Sequence, residues 1–253
     1  MSTDFKLFGP RHWLILTAVF GFSAMLSRIA SRSPAAGKNV RVSLGLILSA
    51  NELIWYVYRY RVEGFRFPEA LPLQLCDLTI WLTVLSALTL KPLPYELAYY
   101  AGLGGTGMAL ITPDLWVPFW SYPSMYFFLS HGLVVVTLWV IAWSGMARPR
   151  PGSVWRTFLI LNGFAAAVGV FDAVFKTNYM YLAQKPPNPS LLDYFGPWPV
   201  YIVVEEVVAI AVFWLLWLPM TVRHREQLQL PHTTHAPAWS ESLVTSSLSL
   251  SNY

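Results

Sequence analysis

The chain has 253 residues, of which 55% are hydrophobic and 12% charged, with a formal net charge of +4, and its mean hydropathy is +0.47. Soluble domains carry about 25% charged residues, so water is not the main solvent, and basic residues spread over the loops argue for membrane topology and against nucleic-acid binding. A single cysteine excludes an intrachain disulfide.

Inside lipid only helices and closed barrels satisfy every backbone polar group. The apolar runs here are continuous instead of alternating, which selects helices. The sequence predicts an all-α, polytopic transmembrane bundle over residues 1–225, with spans at 13–29, 42–60, 71–90, 97–112, 122–143, 154–175 and 199–220, seven in all. The first run lacks the small-residue cleavage pattern of a signal peptide and reads as a span. The fourth is short and rich in glycine (Gly102, Gly104, Gly105, Gly107), which suits either close helix approach or a re-entrant segment. From residue 226 to 253 the chain turns polar and rich in Ser, Thr and Pro, the composition of a disordered cytoplasmic tail.

Seven crossings place Arg28, Arg32, Lys38, Arg41, Lys91, Arg148, Arg150, Arg156, Arg223 and Arg225 on one side, against fewer basic residues on the other. That bias predicts a cytoplasmic C-terminus and an outside N-terminus, in the plasma membrane if the protein is bacterial.

Ionisable groups within spans cost about 2.5–3.5 kcal/mol each and mark functional sites by default. Glu52, Cys76, Asp77, His131, Asp172, Glu205 and Glu206 are such groups. Alternating span direction puts all of them in the outward half, at depths that allow one shared cavity. At helical spacing Cys76 shares a stripe with Thr79, Thr83 and Ser86, whereas Asp77 points about 100° away.

Each residue also has a plainer reading. Cys76 reads first as a small buried hydrophobe, as unpaired cysteines mostly are. His131, taken as the one histidine within a span with His12 assigned to the terminus, is either a satisfied core histidine or a base. Glu205 and Glu206 read as structural groups that cap or, as the favoured expectation, pair with Arg59 or Lys176. The glycines read as packing, and Tyr99, Tyr100, Trp116 and Trp120 as an interfacial aromatic belt. One intramembrane histidine is a thin metal-ligand set, so no metal or other cofactor is expected. The last span has no lysine for a retinal, and no G-x-S-x-G elbow occurs.

The segments Phe67-Pro68, Leu71-Pro72-Leu73-Gln74-Leu75-Cys76-Asp77, Gly104-Gly105-Thr106-Gly107, Ser130-His131-Gly132, Thr177-Asn178-Tyr179-Met180-Tyr181, Lys185-Pro186 and Gly196-Pro197-Trp198-Pro199 occur in order. Over roughly residues 71–201 they resemble the YwaF-like integral membrane family, whose animal relatives include a cysteine-dependent acyltransferase that remodels ether phospholipids. The resemblance implies that Cys76 is the catalytic cysteine and His131 its partner. It implies a CoA-independent transacylase working on phospholipids and lysophospholipids through a thioester. On that scheme Glu52 or Asp172 tunes the histidine, Asn178 or a span-terminal amide holds the oxyanion, and Asp77 and Glu205 support the site. The rival expectations are a small-ligand transporter or receptor with a polar intramembrane cavity, and a lipid hydrolase using the same dyad.

Overall fold

The computed structural model describes residues 5–115, 117–187 and 190–229, and among them every regular element is helical. The main helices are α1 (Pro10–Ala30), α2 (Pro34–Val62), α3 (Leu75–Thr89), α5 (Tyr122–Trp143), α6 (Ser153–Phe175) and α7 (Val200–Gln229). Between α3 and α5 runs α4, an unbroken helix in three parts: Pro92–Tyr100, a π-helical turn Ala101–Thr106, and Gly107–Ile111. Prolines stand in the first turn of α1, α2, α4 and α5, where a missing N–H costs nothing. Residues 5–218 form one compact unit. A second unit begins at Pro219, inside α7, and the helix runs on to Gln229. From residue 230 the expected tail lies outside the described residues.

Among the described residues five helices are long and apolar enough to cross a membrane: α1, α2, α5, α6 and the Val200–Met220 part of α7. α3 has 15 residues, about 22 Å at the usual rise, short of a hydrocarbon core of about 30 Å. Its predicted start at Leu71 is corrected to Leu75, because Pro72 biases the residue before it away from the helical region. α4 is longer than the sequence suggested. Its first turn is built on Pro92, and the glycines form a π turn within a continuous helix.

α5 is the hub: 72% of its apolar window is buried, against 28% or less for the other four long helices. It packs against α1, α2, α3 and α4. Leu16, Leu110, Phe119, Phe128 and Val135 make one apolar cluster around it, and Ala30, Leu44, Val136 and Val140 a second. α6 and α7 are far more exposed and are held by polar ties. Tyr100 Oη meets Ser153 Oγ at 2.9 Å, Tyr99 Oη donates to Leu216 O at 3.1 Å, and Asn162 Nδ2 donates to Glu206 Oε2 at 2.8 Å. Tyr99 and Tyr100 are therefore buried fasteners, not part of a surface belt. Trp120 is exposed, and Trp116 lies outside the described residues.

Two features set this packing. The first is Gly102. A Cβ there would collide with Leu138 Cδ1 and sit 3.1 Å from Val134 Cγ1 and 3.3 Å from Thr79 Cγ2, so its bare backbone lets α3, α4 and α5 approach closely. The second is Glu96, fully buried, whose carboxylate accepts from Arg150 N, Nε and Nη2 at 3.0, 2.7 and 3.1 Å and from Arg156 Nη1 at 2.6 Å. It clamps the α5–α6 connection onto α4. Glu96 escaped the sequence reading because it stands one residue before the predicted span.

Gly102→Ala is expected to lower stability by about 1–3 kcal/mol through overpacking, with partial recovery in Gly102→Ala/Leu138→Val, both read by thermal unfolding in detergent. Glu96→Ala is expected to cost about 1–3 kcal/mol. That range reflects the loss of charge-assisted hydrogen bonds from arginines that regain water, and the same assay checks it.

Candidate functional site

Gly102 also aligns the two residues of greatest chemical interest. The atoms that crowd its missing Cβ belong to Thr79 on α3 and to Val134 and Leu138 on α5. Cys76 precedes Thr79 by three residues. His131 precedes Val134 by three and Leu138 by seven, so each lies on the stripe that meets Gly102. Direction follows from neighbouring contacts. Along α4, Gly102 lies by Thr79 and Gly105 by Leu75, so α4 runs antiparallel to α3. Leu110 clusters with Phe128 and Val135 while Gly102 lies by Val134 and Leu138, so α4 runs antiparallel to α5 as well. α3 and α5 are thus parallel, and Cys76 and His131 each sit one turn from Gly102 toward the same end. The π turn beside them is the kind of helical defect found frequently at functional sites.

Cys76 is half-buried, and no hydrogen bond joins it to His131 among the described residues. His131 is 5% exposed. Its Nδ1 lies 2.8 Å from Phe127 O and 3.3 Å from Ser130 Oγ, and its ring stacks on Phe127 at 4.1 Å between centroids. A carbonyl can only accept, so the hydrogen-bond network assigns the proton to Nδ1 and leaves the lone pair on Nε2. That Nε2 is buried without a partner.

The contrast is His12, which the sequence placed in the terminus and the structure places in α1, fully buried. Its Nδ1 accepts from Phe8 N at 3.0 Å and its Nε2 reaches Leu110 O at 2.8 Å. Both ring nitrogens are used, so His12 is the satisfied core histidine.

Glu52 is fully buried and faces α5, but it serves Tyr126 and not the histidine. Its Oε2 accepts from the Tyr126 hydroxyl, and its Oε1 has no partner. Tyr126 in turn stacks on Trp55 at 4.3 Å. Close by, Trp81 Nε1 donates to Tyr56 Oη at 3.0 Å. Tyr126 was missed in the sequence, since a tyrosine near the start of a span reads as interfacial.

The remaining predicted residues have structural partners. Asp77 Oδ2 accepts from Gln74 N at 3.1 Å and caps α3. Asp172 Oδ1 accepts from Thr177 Oγ1 at 2.6 Å and Tyr179 N at 3.0 Å, shaping the turn after α6. Asn178 spends its side chain inside the same loop, donating to Gln184 O and accepting from Ala183 N and Gln184 N. Glu205 is half-buried beside Glu206. The expected pairing of Glu205 and Glu206 with Arg59 or Lys176 is corrected: Glu206 takes Asn162, and Arg59 takes Glu63 at 3.0 Å. Arg59 is drawn to Glu63 because the two stand four residues apart at the exposed end of α2.

Over the Cys76 end lies Tyr181, in the loop after α6. Burial, then Asp114 and Cys76, push its phenol up to about 12, so it stays a hydroxyl donor across the neutral range. It donates to Asp114 Oδ2 at 3.4 Å, and its own carbonyl accepts from the Tyr201 hydroxyl.

A family profile spans this whole arrangement, from residue 7 to residue 217. The chain belongs to the TMEM164 family, a family of membrane proteins. No curated protein and no solved structure matches it. Within this TMEM164-family chain, the matched stretch contains Cys76, His131, Glu52, Tyr126 and the π turn.

Tyr126→Phe is expected to destabilise by about 1–3 kcal/mol, because it strips the donor from a buried carboxylate oxygen. A Glu52→Leu/Tyr126→Phe double variant should lose less than the sum of the singles, as a double-mutant cycle in detergent would show.

Proposed function

We propose that this protein is a membrane-embedded lipid acyltransferase. In this reading Cys76 is the nucleophile and His131 its base, and an acyl group passes from a phospholipid to a lysophospholipid without coenzyme A. The observation that carries the reading is the proton inventory of His131. Nδ1 is committed to Phe127 O, and Nε2 is a buried base with no partner, on a helix that packs against the helix of Cys76.

In the first half-reaction Nε2 takes the thiol proton and the sulfur attacks the ester carbonyl carbon. A C–S bond forms, the C–O bond to the glycerol breaks, and the departing lysolipid oxygen leaves with the proton from Nε2. In the second half a lysophospholipid hydroxyl gives its proton to Nε2 as its oxygen attacks the thioester. The new C–O bond forms, the C–S bond breaks, and the sulfur recovers the proton. Phe127 O keeps Nδ1 protonated throughout, which holds the ring in one tautomer as Nε2 cycles.

The exposed apolar faces of α6 and α7 give acyl chains a lateral approach from the bilayer. The antiparallel order of α3, α4 and α5 suits consecutive crossings, and adding α3 and α4 to the five long helices makes seven. On that count the basic loops place the C-terminus in the cytoplasm and the Cys76 end outside.

Incubation of the purified protein with phospholipid is expected to give an intact-mass adduct of one acyl group that hydroxylamine removes and Cys76→Ala abolishes. His131→Ala is expected to slow transfer by about 10²–10⁴-fold, the usual scale of general acid–base catalysis. Free fatty acid as the sole product would identify a hydrolase with the same dyad. Full transfer activity in both variants would rule the dyad out.

A further inference from the structure

The loop after α6 is pinned over the start of α3 by three other parts of the chain. Met180 N donates to Gln74 Oε1 at 2.9 Å, and Tyr179 Oη to Pro68 O at 2.8 Å. Tyr179 N is held by Asp172 Oδ1 at 3.0 Å, and the Tyr201 hydroxyl, in the first turn of α7, holds the Tyr181 carbonyl. Within this web Met180 and Tyr181 have φ of 55° and 57°. Two adjacent residues with side chains enter that left-handed region only where their surroundings over-determine them, and such outliers cluster at active sites.

The residue so held is Tyr181, half-buried, with its phenol close enough to Cys76 for the sulfur to bear on its ionisation. Among the described residues its hydroxyl has one hydrogen bond, to Asp114 Oδ2 at 3.4 Å. That is long beside the roughly 2.7–2.8 Å usual between oxygens, so the proton is loosely held and can turn to a stronger acceptor. Cys76 is the second residue of α3, and its backbone N–H is one of the first-turn donors that have no acceptor within a helix. A carbonyl attacked by the sulfur gathers negative charge on its oxygen, and stabilising that charge takes donors already in place. Asn178, expected in that role, has its side chain spent within the loop.

We propose that Tyr181 is a catalytic residue of the Cys76–His131 reaction, on whose reading this role rests: its hydroxyl donates to the oxyanion, with the Cys76 N–H as the second donor. As the sulfur bonds to the carbonyl carbon, the π pair of the C=O bond moves to oxygen. Tyr181 donates a hydrogen bond to that oxygen and keeps its own proton. The C=O bond then re-forms, the C–O bond to the glycerol breaks, and the leaving oxygen takes the proton carried by His131 Nε2. The same two donors serve the second half-reaction, when the lysophospholipid oxygen attacks the thioester and the sulfur is expelled.

Two reagents for the single cysteine separate this role from a structural one. p-Nitrophenyl decanoate acylates sulfur through a tetrahedral oxyanion, whereas iodoacetamide alkylates it by displacement of iodide, with no oxyanion. The full-length protein in detergent is followed by intact mass with each. Tyr181→Phe keeps the ring and the backbone carbonyl that Tyr201 holds. It is expected to slow acylation by about 10²–10³-fold, the usual loss for one oxyanion donor, while alkylation runs at the wild-type rate. Equal slowing of both reactions would make Tyr181 a packing residue, and unchanged acylation would leave the oxyanion to other donors. Either result overturns the proposal and leaves Cys76 standing as the nucleophile. A wild type that is alkylated and never acylated, or an acyl adduct that survives in Cys76→Ala, would overturn the acyltransferase reading and this role with it.

Discussion

The close approach of three helices at Gly102 is the constraint on which the rest of the molecule depends. Lipid gives apolar helices little reason to prefer one another over acyl chains, so association rests on packing and hydrogen bonds. A residue without a side chain is where packing gains most. Because Gly102 admits Leu138, Val134 and Thr79 to contact, α4 is held between α3 and α5. The register of that contact brings Cys76 and His131 to the same end of the bundle. The π turn that begins at Ala101 belongs to the same economy: a glycine-rich stretch has little intrinsic preference for a regular α-helix, and the widened turn is tolerated where neighbours pack tightly around it.

Polar groups in this apolar setting separate into the satisfied and the unsatisfied, and that distinction is more informative than their presence. His12, Asn178 and Glu96 have their hydrogen-bonding capacity spent on backbone or arginine partners, and Asp77 accepts from the backbone of Gln74. They cap, tie and clamp. His131 Nε2, Asp172 Oδ2 and Glu52 Oε1 are buried without partners. An unmade hydrogen bond in a low-dielectric interior is expensive, so such atoms are where a substrate or ligand has the most to contribute.

Sequence reasoning found the helices because their signal is local: a long apolar run is a span wherever it packs. It located Cys76 and His131 through the same logic, since an intramembrane thiol or imidazole is conspicuous in any context. It misjudged His12 because the residue stands at the boundary of an apolar run, where burial depends on whether a loop folds over it. Tyr99 and Tyr100 were read as a belt for a related reason. A tyrosine near a predicted span end is interfacial by default, and only the arrival of Ser153 and the α7 backbone makes it a fastener. Tyr126 and Glu96 were invisible, because their partners lie 74 and at least 54 residues away in the chain.

By itself the sequence determined that this protein is an all-helical membrane protein, which residues are apolar enough to meet lipid, and which few polar groups stand inside the spans. Composition and period suffice for that, since the bilayer imposes the same backbone requirement on every segment. Only the tertiary structure decided which of those polar groups are partnered and how α3 and α5 align across Gly102. Those properties depend on contacts between residues distant in the chain. No local pattern encodes whether a histidine's second nitrogen will find a carbonyl, as at Leu110, or remain open, as at His131.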